Sequence, residues 1–178
     1  IITTHGLFIV LTSPLAGVLI DRFGPRRPLV GGLVLYGIAG GVGLVIESFP
    51  VLLASRALLG IAVAFVYTAI TVLIYNLYEG ARKDRVMGLR GSANSLGAAV
   101  WPLVGGVLGT VSWHGPFGVY LLAVPLGLVA AVTVPEPALE AGSATETTGG
   151  LRGLLAVFRE TPLLIPVFVL GGVITGVF

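Results

Sequence analysis

Arg56 is the one charged side chain set inside a long apolar stretch; the other charges gather at the ends of such stretches or between them. A guanidinium keeps its charge at physiological pH, so the chemistry open to it is electrostatic. It can lower the pKa of a neighbouring carboxylate or hold an anionic group. About five residues into an apolar helix, it costs on the order of 3 kcal/mol to insert. The plainer alternative is a side chain that snorkels to the nearer interface and does nothing more. Gly60 follows one helical turn later and is expected to clear space beside it. Val63, Tyr67, Thr71 and Tyr75 continue at helical spacing. Tyr67 and Thr71 either carry a polar stripe into a cavity or simply bond to a neighbouring helix.

A second concentration of chemistry is Gly17-Val-Leu-Ile-Asp21-Arg22-Phe23-Gly24-Pro25-Arg26-Arg27. Gly24 permits a tight turn between two helices. Asp21 ends one helix and can face the N-terminus of another, where the macrodipole favours an anion. Arg22, Arg26 and Arg27 can pair with acids or lipid phosphates. On the plainer alternative these bases only fix the orientation of the chain in the membrane.

Much chemistry is missing. The acids are Asp21, Glu47, Glu79, Asp84, Glu136, Glu140, Glu146 and Glu160, all at helix ends or in loops. No carboxylate lies deep in an apolar stretch, where a proton carrier would sit. With no Cys and only two His, there is no thiolate site, no His cluster with metal spacing and no Ser/His/Asp set. His5 and His114 read as solvated. No phosphate-cradling loop precedes a helix. An enzyme is therefore not expected, nor any cofactor or metal. A net charge of +2 is too small and scattered for nucleic acid.

The elements that must position these residues are membrane helices. Only 10% of the 178 residues are charged and the mean hydropathy is +1.04, whereas a soluble domain carries about 25% charge. Charge-free intervals cover 1–20, 28–46, 57–78, 91–135 and 161–178. A span needs about 20 apolar residues, and the longest interval breaks at Ser112-Trp113-His114-Gly115-Pro116. The expected spans are 3–20, 29–47, 50–76, 89–110, 117–134 and the start of another from 162. Nine of the ten basic residues then fall on one side, expected to be cytoplasmic: Arg22, Arg26 and Arg27; Arg82, Lys83, Arg85 and Arg90 in the third loop; Arg152 and Arg159.

Residues 135–160 are rich in Gly, Ser, Thr and Glu and read as a linker, with a short amphipathic helix over 151–159. The expected organisation is a helical half over 1–134, a cytoplasmic linker over 135–160, and the start of a second half over 161–178. Gly37 with Gly41, and Gly105 with Gly109, are spaced for close helix packing. Pro14, Pro102, Pro125 and Pro166 are expected to kink their spans. The chain opens on Ile1 and closes on Phe178 within apolar runs. It reads as an internal piece, without a secretory leader, of a longer protein whose first helix and most of whose second half lie elsewhere.

The Gly17–Arg27 segment resembles the loop between the second and third helices of the major facilitator superfamily, G-x-x-x-D-R-x-G-R-R. Ala54-Ser55-Arg56-Ala57-Leu58-Leu59-Gly60 is similar to that family's fourth-helix motif, R-x-x-x-G. Gly97-Ala-Ala-Val-Trp101-Pro102-Leu-Val-Gly105-Gly106 resembles its fifth-helix motif, G-x-x-x-G-P-x-x-G-G, with Trp101 where Gly is usual. In the family that motif marks exporters working as antiporters. Trp113-His114-Gly115-Pro116-Phe117 is similar to an outer turn of drug-exporter-like members, with His114 in place of Arg.

The resemblance implies an all-α integral membrane bundle, with about five complete transmembrane helices and the start of a sixth visible. It assigns a conformational latch to Gly17, Asp21, Arg22, Gly24, Arg26 and Arg27, and a coupling or substrate cavity to Arg56, Gly60, Tyr67 and Thr71. It implies a multi-pass plasma-membrane transporter acting as a monomer, exchanging protons for drug-like or amphipathic molecules in multidrug efflux. Two alternatives stand beside it. One is a metabolite or anion uptake permease of the same superfamily, with Arg56 touching substrate. The other is a membrane sensor or scaffold that does not transport.

Overall fold

A computed structural model describes residues 2–135, and among them the chain is helical without strands. The helices are α1 (Ile2–Phe23), α2 (Arg26–Gly41), α3 (Phe49–Leu77), α4 (Gly80–Val111), α5 (Gly115–Gly118) and α6 (Ala123–Thr133). A 3₁₀ turn, Val42–Leu44, extends α2, and another, Val119–Leu122, joins α5 to α6. Five segments are long and apolar enough to cross a membrane, the fifth running Gly115–Thr133. They match the expected spans to within a few residues, α4 excepted. The linker beyond Pro135 and the span expected from 162 lie outside the described residues.

Local chemistry explains the boundaries. Gly24 has φ +79°, the left-handed region that L side chains rarely adopt, so the first turn is only Gly24-Pro25. Asp21 and Arg22 therefore sit on the last turn of α1, and Arg26 and Arg27 on the first turn of α2. Ser48 is extended before α3, and Pro50 falls in its first turn, where a missing N–H leaves nothing unpaired. Pro125 cannot donate to Leu121 and crowds its carbonyl, in keeping with the 3₁₀ winding just before α6.

The third loop departs from expectation. It is only Tyr78-Glu79, and Arg82, Lys83, Arg85 and Arg90 all lie on α4. A 32-residue helix is about 48 Å long, well beyond a hydrocarbon core of about 30 Å. Hydropathy reads only the membrane-deep part and misses the basic turns that continue the helix below it.

Helix α3 is the centre of the fold: α1 and α2 pack along it, and α2 packs on α6. The core at the basic end is Ile20, Leu29, Ala69 and Leu73, with Leu33, Val66 and Ile70 against it. Small residues bring the helices together where lipid gives no hydrophobic drive. A Cβ on Gly40 would lie 2.3 Å from the Tyr120 ring. Helix α4 contrasts with this, since it buries no residue along its whole length.

Candidate functional site

Arg56 lies near the start of α3, half-buried rather than stretched to water. Its guanidinium carbon is 5.1 Å from the Phe117 ring centroid and 5.6 Å from that of Tyr120. The fifth span supplies both rings, and the Tyr36 ring of α2 stands 5.4 Å from Tyr120. Each cation–π contact is worth about 0.5–2 kcal/mol, so two rings offset much of the insertion cost. Among the described residues no carboxylate reaches Arg56. Glu47, at the same end of the molecule, contacts His114 instead, at 3.7 Å.

Inward from Arg56 a cavity of about 600 Å³ opens between α2, α3, α4 and the fifth span. Its walls include Tyr36, Val63, Val66, Tyr67, Trp101 and Tyr120. The size and lining suit a drug-sized apolar or aromatic molecule. Tyr67 forms part of the wall, and its hydroxyl donates to Asn94 Oδ1 at 2.9 Å. Thr71 donates to the Tyr67 carbonyl at 2.7 Å and accepts from Arg90 Nη1 at 2.8 Å. Tyr67 and Thr71 are thus tied to Arg90 and Asn94 of α4, two residues that sequence reasoning missed. The charge pattern alone places Arg90 in the third loop. Its signal was the spacing Arg90, Asn94, Gly97, Trp101, Gly105, one face of a helix.

Gly60 is a correction. A Cβ there would lie 2.4 Å from the His5 carbonyl and 2.8 Å from Phe8 Cβ. Its missing side chain admits α1, so Gly60 is a packing residue between α1 and α3 and clears no space for Arg56.

The fifth-helix motif is divided. Trp101 folds back over Gly97, with ring atoms 3.4–3.5 Å from where a Cβ would stand. Gly105 lines the cavity; Gly106 faces open space; Pro102 is exposed on α4. The loop motif is divided too. Asp21, Arg22 and Arg27 are exposed, and Arg22 stacks near Phe23 at 5.4 Å. Among the described residues nothing stands against Gly17. Arg26 donates to the Ala131 carbonyl in the last turn of α6, the negative end of that helix. It thereby clamps the fifth span to the α1–α2 turn. Among the described residues no three His, Cys, Asp or Glu group together as metal ligands.

A sequence profile of the Major Facilitator Superfamily matches residues 1–178. Multidrug resistance protein 1 of Bacillus subtilis is 31% identical over 135 residues, covering 72% of this chain and 33% of that protein. Multidrug efflux pump SdrM of Staphylococcus aureus is 25% identical over 156 residues, covering 84% and 34%. Quinolone resistance protein NorA of Staphylococcus aureus is 27% identical over 130 residues, covering 73% and 33%. The chain spans about a third of the length of these curated relatives.

Proposed function

The chain belongs to the major facilitator superfamily, a family of transporters rather than enzymes, and from that premise we propose that it is part of a proton-coupled exporter of drug-like amphipathic molecules. It is a multi-pass cell-membrane protein of a family that carries small molecules across the membrane. The finer reading is supported chiefly by Arg56. It is a charged group held between two aromatic rings beside an aromatic-lined membrane cavity, with no carboxylate partner among the described residues. The similarity to multidrug exporters points the same way.

In this mechanism the fixed charge of Arg56 favours the deprotonated state of a carboxylate that approaches it during transport. Protonation weakens that attraction and allows the two helical halves to change their relative position, so proton entry and substrate exit are linked through one electrostatic contact. The described acids Asp21, Glu47, Glu79 and Asp84 all stand at helix ends or in a loop, so the proton carrier belongs to a part of the protein outside residues 2–135. The exposed Asp21, Arg22 and Arg27 face the second half as a conformational latch, while Gly24 and Arg26 hold their base in place. The basic end is cytoplasmic, and the protein works as a monomer whose linker joins its two halves.

The test uses full-length protein in proteoliposomes loaded with the amphipathic dye rhodamine 6G. An imposed pH gradient should drive dye movement, and a protonophore should stop it. Dye movement that ignores the gradient would remove the coupling. No movement of this dye or of other amphipathic probes would remove the export reading.

A further inference from the structure

The α3–α4 contact holds a second guanidinium, which the coupling role of Arg56 does not use. Arg90 stands ten residues into α4, about 15 Å from its start. Lys83, two turns nearer the basic end, lies over the Tyr75 ring at 4.7 Å. Arg90 does not reach back toward that end; it turns across to α3. Its Nη1 donates to Thr71 Oγ1 at 2.8 Å and its Nη2 to the Tyr67 carbonyl at 3.2 Å. Its Cζ lies 4.6 Å from the Tyr67 ring centroid. One turn on, Asn94 accepts the Tyr67 hydroxyl proton through Oδ1, which leaves the Asn94 amide N–H groups as donors.

These contacts orient the guanidinium without neutralising it. A guanidinium has five N–H donors; two are engaged here, and no carboxylate reaches Arg90 among the described residues. A planar fork oriented by two hydrogen bonds, with donors to spare, is complementary to a carboxylate, sulfonate or phosphate. The surface next to it is the opposite in character, since Tyr67 continues into the apolar cavity wall with Val63, Val66 and Trp101. An acid group beside an apolar aromatic wall describes one kind of ligand.

We propose that Arg90, with Asn94 and the Tyr67 ring, forms an acid-group subsite in the transport path, so that preferred substrates are amphipathic compounds bearing an anionic group on an aromatic or apolar body. This rests on the reading above that the α3 face borders that path. Arg56 lies eleven residues before Tyr67, about 16 Å along α3, too far for one small acid group to touch both cations. The two guanidiniums therefore divide the work: Arg90 holds the substrate's acid group and Arg56 serves coupling.

The test measures binding and flux of 2-naphthaleneacetate, its neutral primary amide and the cation rhodamine 6G in full-length protein in phosphatidylcholine vesicles. Wild type should bind the acid roughly tenfold or more tighter than the amide, as expected for a charge-assisted hydrogen bond. Arg90→Gln should erase that preference and leave the amide affinity within about twofold; Arg90→Lys should restore part of it. Equal weakening of acid and amide, or a wild type that does not distinguish them, would overturn the subsite. So would acid preference found only in bilayers containing phosphatidylglycerol, which would make the ligand a lipid headgroup. If wild type moves rhodamine 6G in an Arg56-dependent way and ignores the acid, the subsite fails and the export reading stands. If it moves none of the three, both fail.

Discussion

Helices α2 and α4 carry glycines at the same four-residue spacing and meet opposite fates. On α2, Gly37, Gly40 and Gly41 are filled by Val124, Tyr120 and Leu121 of the fifth span. On α4, Gly105, Gly106 and Gly109 meet nothing among the described residues. Small residues at helical spacing permit close approach, but whether it occurs depends on a partner being there. The two regions are also held differently. The α2 seam is close van der Waals contact closed by the Arg26 clamp, whereas α4 meets α3 through polar and cation–π contacts around Tyr67, Thr71, Arg90 and Asn94. The first is a rigid frame. The second is a contact that can exchange partners with little loss, because its groups are exposed or half-buried.

The sharpest way to break this comparison is all-or-none. Cysteines introduced as Lys83→Cys and His114→Cys, in a chain that has none, should react with an impermeant thiol reagent from opposite sides of the membrane. Reaction of both from one side would dissolve the distinction between a basic cytoplasmic end and an outer end. Next in size is overpacking of the seam. Gly40→Ala sets a methyl against the Tyr120 ring and should destabilise by about 2 kcal/mol, seen as a lowered unfolding temperature in detergent. Gly109→Ala, by contrast, should be neutral or gain up to about 1 kcal/mol of helix propensity. Equal losses at the two sites would mean that α4 is as tightly packed as α2.

Smaller still is the Arg26 clamp. Arg26→Gln should cost about 1 kcal/mol, from the bond to a helix C-terminus. Asp21→Asn should leave the unfolding temperature unchanged and slow transport. Destabilisation by Asp21→Asn and none by Arg26→Gln would reverse their roles. The smallest effect belongs to Tyr67→Phe, which removes one exposed hydroxyl bond to Asn94 and keeps the ring under Arg90. About 0.5 kcal/mol or less is expected, so a larger drop would make the α3–α4 contact structural rather than exchangeable.

The spans were legible because charge-free intervals of membrane length leave the chain few alternatives, and α1, α2, α3 and the fifth span follow them closely. The bottom of α4 was not, since Arg82, Lys83 and Arg85 suit a helix in water as well as a loop. That ambiguity also hid Arg90, which a topology count places at the interface and the structure turns onto Thr71. Arg56 could be found from sequence, being a lone charge in an apolar run, but Phe117 and Tyr120 could not be named as its partners. Gly60 was misplaced because helical spacing gives a face and not the neighbour that fills it; α1 fills it here. The Arg26 bond joins residues 105 apart through a backbone carbonyl, which carries no sequence mark.

The central claim is that Arg56 couples proton movement to transport, and substrate flux in proteoliposomes at several imposed pH gradients tests it most directly. Wild type should show flux that rises with the gradient. Arg56→Lys keeps the charge and loses the planar fork, so it should retain a reduced slope. Arg56→Ala should insert and fold yet show no gradient dependence at all. An Arg56→Ala protein whose flux still climbs with the gradient as wild type does would contradict the account and leave Arg56 as no more than an interfacial residue resting on two aromatic rings.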